Sequence, residues 1–370
     1  MSIYKIIITP KVEAIASDYI QKMKPDSNSD NYVQNRIKDI IDDIHNKRCL
    51  FSKTVINSKT TIRPRKKSEY ISYLTNIYNN YDNILKTRIY CYNDDFNFER
   101  NYSNIDNRVN VTYYKFTKNG RSSRKTTTTF HEMIVHIMDY DRVQSELFPE
   151  IIRRLNIKTC VYCNINYALS TNDNSAFYQL DHCLPKSKYP YLCTSFYNLQ
   201  PSCASCNQRK SSSDLRFGNN KEYNLSMWKK DETPNYYHFC IPPDELAKYL
   251  QEFGSRDNKK IRITLQATEG SNNEVKDLIE ALNEKLKIIE RYNNLTDIAE
   301  EIIWKYKIHS LGYYNSIMQR FSEFFPNYNE QIDRFIWGNY MNEKDIFKRP
   351  LSKLIQDIKF QLEKTKIEAT

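Results

Sequence analysis

The sequence predicts an α+β chain, with mainly helical flanks around a small module stabilised by metal. Three observations lead there. Only six glycines occur in 370 residues, too few for a turn-rich all-β protein. Apolar residues recur at helical spacing on both sides of the middle of the chain. Between those flanks, two Cys-x-x-Cys pairs, Cys160/Cys163 and Cys203/Cys206, bracket a polar segment in the pattern of a four-thiolate metal site.

Taken in order, Tyr4 to Ile8 reads as a short strand. Val33, Ile37, Ile40, Ile41 and Ile44 then mark an amphipathic helix. Arg63-Pro64-Arg65-Lys66-Lys67 reads as a basic loop, because proline and dense charge oppose regular structure. Val109 to Phe116 is β-prone, Asn119-Gly120 closes it with a turn, and Arg121-Ser122-Ser123-Arg124-Lys125 reads as a second basic loop. Thr129 with Glu132 forms a capping box that opens a helix through His136. A further helix from Pro149 to about Leu155 delivers the chain to Cys160. Beyond the cysteines, Ile261 to Leu265 reads as a strand and Val275, Ile279, Leu282, Leu286 and Ile289 as a helix. Two more helices are expected around Ile298–Tyr306 and Leu351–Leu362, with a break at Phe324-Phe325-Pro326-Asn327. The expected division is a basic mixed α/β region over 1–155, the module over 156–216 and a mainly helical region over 217–370.

Composition narrows the function classes. With 13% aromatic residues the chain is not a disordered one, and nine cysteines at this length do not suggest a secreted disulfide scaffold. No segment approaches the run of apolar residues that a membrane span needs, and the N-terminus lacks a signal-type core, so a cytoplasmic protein is expected. The formal charge is +10, and residues 1–159 carry 27 Lys or Arg against 18 Asp or Glu. Residues 217–370 carry 23 against 24, so the positive field belongs to the N-terminal region, as nucleic-acid binding would require. A solvated basic face is the plain alternative.

The four paired cysteines point to structural zinc. Cys183 and Cys193, between the pairs, lack spaced partners and read as packed thiols. A zinc module that only binds nucleic acid or a partner protein would show the same tetrad, so the residues between the pairs decide. They run Leu180-Asp181-His182-Cys183-Leu184-Pro185-Lys186-Ser187-Lys188-Tyr189-Pro190. Asn198 follows His182 by 16 residues, within Tyr197-Asn198-Leu199-Gln200-Pro201-Ser202, and Asn207 directly follows Cys206 and precedes Lys210 by three.

This pattern resembles the HNH endonuclease family, the ββα-metal fold, and within it the HNH proteins of bacterial anti-phage defence loci. Septu-type and retron-associated systems, which pair the nuclease with an ATPase, are the nearest. The close resemblance covers residues 160–210, with a weaker similarity at Leu282-Asn283 and Arg291. It implies a catalytic divalent ion, Mg²⁺ or Mn²⁺, held by Asp181 and Asn207. It also implies His182 as the general base, Asn198 as the residue holding the His-bearing loop, and Lys210 near the scissile phosphate. The third family position is Asn207 rather than histidine, which keeps an uncharged metal ligand. The implied activity is hydrolysis of double-stranded DNA, by the effector of a defence system with an ATPase partner encoded nearby and no membrane association. RNA cleavage and intron homing are the alternatives, although no DNA-binding repeat of the homing type is present. His131 and His136 do not make a zinc pair, because five residues turn a helix through about 500° and place the two rings on different sides.

Overall fold

The protein is described from a computed structural model, over residues 4–24, 32–56, 60–117, 120–217, 224–230, 236–253, 261–308, 311–322 and 329–368. It is an α+β structure in which helices surround small sheets. The first strand, β1 (Ile6–Ile7), is shorter than the sequence suggests. Helix α1 (Pro10–Lys22) follows, capped by Thr9, whose hydroxyl accepts from the Val12 amide at 3.4 Å, with proline at its first position. The sequence reading passes over this helix, although Val12, Ile15, Ala16, Tyr19 and Ile20 bury one face. Helix α2 (Val33–His45) is the expected one, burying Val33, Ile37, Ile40 and Ile44.

The three-stranded antiparallel sheet comes next in the chain. Its strands are β2 (Leu50–Ser52), β3 (Asn110–Thr117) and β4 (Gly120–Thr129), in that order. Between the first two runs α3 (Lys67–Lys86), a 20-residue helix. It begins where the basic loop ends, Arg63 to Lys66 being irregular. Its buried stripe is Tyr70, Tyr73, Leu74, Ile77, Tyr81, Ile84 and Leu85, and the tyrosines in it hide the helical period from an aliphatic count.

The second basic segment is a correction. Arg121 to Lys125 is not a loop but the first half of β4, paired with β3 at Phe116↔Arg121 and Tyr114↔Lys125 with a shift of register between them. The strand tolerates the charge because its partners absorb it. The Arg121 guanidinium pairs with buried Asp43 and lies 5.3 Å from the Tyr114 ring, and Lys125 lies 5.2 Å from the same ring. The turn residue Asn119 and the break at Phe324–Asn327 lie outside the described residues.

Helix α4 (Phe130–Ile137) opens with the expected capping box of Thr129 and Glu132. His131 bonds Thr129 Oγ1 at 3.1 Å and His136 bonds the Tyr113 hydroxyl at 2.7 Å, so each ring serves local structure separately. Helix α5 (Phe148–Arg154) then leads to the cysteines. In the middle of the chain lie β5 (Gln179–His182), β6 (Leu199–Ser202) and α6 (Ala204–Lys210). Strand β7 (Trp228–Lys229) pairs in parallel with β1, Ile6 opposite Trp228.

In the C-terminal part β8 (Tyr237–Cys240) pairs antiparallel with β9 (Thr264–Ala267), the latter a few residues later than expected. The helices of this part include α7 (Asn273–Leu286), α8 (Ile288–Tyr292), α9 (Thr296–Ile308) and α10 (Ser352–Glu368). A buried amide, Asn164, ties this part to the middle: its Nδ2 donates to the Ile346 and Arg349 carbonyls at 3.0 and 3.2 Å, and its Oδ1 accepts from the Lys353 amide at 3.1 Å. The N-terminal part grips the middle as well. The Tyr19 hydroxyl donates to the Thr194 carbonyl at 2.6 Å, Tyr92 and Tyr191 hydroxyls meet at 2.9 Å, and Phe98 stacks on Tyr191 with centroids 3.8 Å apart.

Because α3 packs a fully buried stripe, Ile77→Ala is expected to cost about 2–5 kcal/mol of stability, the usual price of truncating a core isoleucine. Urea unfolding followed by far-UV circular dichroism checks this.

Candidate active site and metal centre

Two chain segments supply the sulfurs. Cys160 and Cys163 lie in the turn after α5, and Cys203 and Cys206 at the N-cap and first turn of α6. All four Sγ atoms lie within 4.8 Å of one another and all are buried, with Cys163 and Cys203 sulfurs 4.0 Å apart. A zinc tetrahedron with bonds near 2.3 Å places its sulfurs about 3.8 Å apart, close to the spacing of the tetrad. Donors already aim at sulfur: the Ile165 amide at 3.4 Å from Cys163, and Arg291 Nη1 and Nη2 at 3.1 Å from Cys206 and 3.5 Å from Cys163. Burial and the neighbouring sulfurs push the Cys160 thiol well up. Cys183 and Cys193 stand outside the cluster, each pushed up by burial, to about 11 and about 12 respectively, and they are packed thiols.

Asp181 and His182 are placed by the β5–β6 pair, in which His182 faces Leu199 and Asp181 faces Gln200. The connection between the strands is almost wholly buried, and the Asn198 amide satisfies its backbone. Oδ1 accepts from the Leu184 amide at 2.7 Å, and Nδ2 donates to the Leu184 and Leu192 carbonyls at 3.1 and 3.0 Å. This holds the segment beyond His182 against the segment ahead of β6.

His182 Nε2 lies 3.0 Å from the Cys193 carbonyl. A carbonyl only accepts, so Nε2 carries the proton and Nδ1 is the free base. Burial depresses the imidazole to about 3, with Lys186 and Lys210 adding to the effect, and the ring is therefore neutral at physiological pH. Asp181 is 5% exposed and bonded by the Tyr162 hydroxyl, and Lys210 Nζ lies 3.3 Å from both its oxygens. Burial pushes its carboxyl up, while Lys210 and the Tyr162 hydroxyl hold it down. Asn207 Nδ2 donates to Gln179 Oε1 at 2.7 Å, which leaves Oδ1 as the atom able to ligate a cation.

Asp181, His182, Asn207 and Lys210 line one pocket of about 230 Å³, together with Lys186 and Ser187. Asn198 sits behind it. The five residues singled out from sequence thus meet in one place. Lys210 is turned inward: its ammonium donates to the His182 carbonyl at 2.6 Å and serves as the positive partner of Asp181. The oxygen-only pair Asp181 and Asn207 suits a hard divalent ion.

The sequence reading misses several contributors. Tyr162, inside the first Cys-x-x-Cys, reaches Asp181 and accepts from Gln200 Nε2 at 2.5 Å, so the metal knuckle touches the pocket carboxylate directly. Tyr140, at the end of the N-terminal region, packs against the His182 ring at 4.9 Å and carries the Lys186 ammonium over its face at 4.2 Å. Nothing in the local sequence marks these residues, because their partners are distant in the chain.

Residues 160–213 match the model of the HNH endonuclease family. The Septu protein PtuB of Bacillus thuringiensis is 38% identical over 57 residues, which is 15% of this chain and 21% of that protein. No solved structure matches the chain. Residues 160–213 form an HNH endonuclease domain with a four-cysteine cluster suited to zinc. Among the described residues no helix is long and apolar enough to cross a membrane.

The buried imidazole sets a pH dependence. Its folded value, about 3, lies below the ordinary 6.5, so the unfolded chain takes up the proton first as pH falls. The stability it contributes is fully present above pH 6.5 and is lost between 6.5 and 3. Urea midpoints measured from pH 7 to pH 4 are expected to fall less steeply for His182→Asn than for the wild type.

Proposed function

We propose that the chain is a metal-dependent endonuclease that hydrolyses phosphodiester bonds of double-stranded DNA, leaving 5′-phosphate and 3′-hydroxyl ends. The observation that carries this reading is the shared pocket: a neutral imidazole with its free Nδ1 beside an oxygen-only pair suited to a divalent ion. His182 acts as general base, taking the proton of the attacking water at Nδ1 while the Cys193 carbonyl holds Nε2–H and fixes the ring. Asp181 and Asn207 hold Mg²⁺ or Mn²⁺, which when bound neutralises charge on the phosphate and leaving oxygen. Lys186 faces the same pocket and is suited to the incoming phosphate. Lys210 orients Asp181 and the His182 backbone from the phosphate side of α6. Asn198 keeps the His-bearing segment closed.

The positive field of residues 1–159 supports a nucleic-acid substrate. On β4, exposed Arg124 and Lys125 present charge that a duplex backbone would meet. The likeness of the domain to a Septu protein supports a role as a nuclease effector of bacterial anti-phage defence, acting in the cytoplasm with an ATPase partner. In this reading residues 1–155 hold the nucleic acid, 156–216 cut it, and 217–370 carry the partner surface.

The direct test is cleavage of plasmid DNA with Mg²⁺ or Mn²⁺, with an RNA substrate in parallel, by the wild type and His182→Ala. The variant is expected to lose on the order of 10²–10⁴-fold in rate. Equal cleavage by the two proteins sinks the mechanism, and cleavage of RNA alone redirects the substrate.

Binding supplies a separate check on the N-terminal surface. Arg124→Glu with Lys125→Glu is expected to weaken duplex binding across sequences and to lower the salt-dependence slope by about two. An unchanged slope in a fluorescence-anisotropy titration removes β4 from the interface.

A further inference from the structure

Among the described residues, one guanidinium from outside the HNH domain meets the sulfur cluster. Arg291, in α8, reaches back to residues of both Cys-x-x-Cys pairs, with Nη1 3.1 Å from Cys206 Sγ and Nη2 3.5 Å from Cys163 Sγ. One planar fork therefore spans the two halves of the tetrad. The fork is held in place on both sides. Lys287, in left-handed backbone with φ +53°, breaks α7 from α8, and Asn283 Oδ1 accepts from the Ile289 amide at 2.8 Å to set the start of α8. Tyr292, fully buried, donates its hydroxyl to the Cys163 carbonyl at 2.7 Å.

The chemistry of these contacts is informative. Arg291 is half-buried, and a charge withdrawn from water needs a negative partner. Neutral thiols are weak acceptors and would not repay that loss of hydration. Thiolates would. Four thiolates around a dication retain a net charge of about −2, and N–H donors on the sulfurs offset it where the metal is held. Lysine could not copy this arrangement, because an ammonium on a flexible stem lacks the planar pair of donors that bridges two sulfurs.

We propose that Arg291 is an outer-sphere partner of the zinc–thiolate centre, through which the C-terminal helical region sets how tightly the HNH domain retains its structural metal. The inference rests on the zinc reading of the tetrad and is independent of whether the pocket cleaves DNA. Arg291 is a positioning residue: it acts on the metal through Cys163 and Cys206.

The experiment uses the full-length chain as wild type, Arg291→Ala, Arg291→Lys and Tyr292→Phe. Zinc content is measured per chain, then zinc affinity by competition with a chromophoric chelator, with thermal melting of each protein as a control for folding. The wild type is expected to hold one zinc. Arg291→Ala should lose about 10–100-fold in zinc affinity, the usual effect of removing an outer-sphere partner. Arg291→Lys should recover part of that loss, and Tyr292→Phe, which removes the neighbouring tether without touching sulfur, should stay near wild type. Wild-type affinity in Arg291→Ala overturns the proposal. So does an equal loss in Tyr292→Phe, which would mean that docking of α8 alone matters. If Arg291→Ala does not fold, full zinc affinity in Arg291→Lys overturns the two-sulfur fork. A wild type that binds no zinc fails the tetrad itself, a result separate from any outcome of the cleavage assay.

Discussion

Cys160 and Cys163 arrive from the end of α5, Cys203 and Cys206 from the start of α6, and their sulfurs meet within 4.8 Å of one another. That meeting constrains everything around it. Tyr162, held in the first pair, can then reach the Asp181 carboxylate, and Asn207, next to the last sulfur, faces the same pocket. The segment between must return from α5 to α6, and it does so through the β5–β6 pair that carries Asp181 and His182. A domain of this size has little room for an apolar core of its own, and its four sulfurs are spaced where a metal would add to burial.

The buried connection shows how the rest of the chain completes the domain. Backbone polar groups there have no water, so each needs a partner. Asn198 serves Leu184 and Leu192 from within. From the N-terminal part, Tyr19 serves the Thr194 carbonyl, and the Ser195 hydroxyl donates to the Thr87 carbonyl at 3.2 Å. The same enclosure determines the electrostatics. It keeps His182 neutral, and it makes Asp181 depend on Lys210 and Tyr162 for its charge. A buried carboxylate with an ammonium 3.3 Å away is held in place by the cost of separating the two.

Local chemistry made part of this legible in sequence. The cysteine spacing, the Asp181-His182 dipeptide, Asn198 and Asn207 all carry their signal within fifty residues, and all lie together in the fold. Helix α2 and the Thr129–Glu132 box were legible for the same reason: aliphatic period and capping are short-range. What stayed hidden was either disguised or long-range. Helices α1 and α3 bury tyrosines beside their aliphatic residues, which blurs the period. Strand β4 looks like a loop because Arg121 and Lys125 find aromatic faces, and Arg121 finds Asp43, only once the sheet has formed. Tyr140 and Arg291 acquire meaning from residues 42 and 85 positions away, His182 and Cys206.

A two-residue strand pair carries a consequence for the assembly of the protein in time. Strand β1 joins β7 through Ile6 opposite Trp228, so Ile6 has its partner 222 positions further along the chain. At roughly 5–20 residues per second, a ribosome needs on the order of ten to forty seconds to supply that partner. Arg291, which meets the sulfurs, emerges later still. A nascent chain therefore carries its cysteines, Asp181 and His182 well before the last of their support exists. Strand β1 therefore waits unpaired, and the sulfurs wait without Arg291, until translation is far advanced.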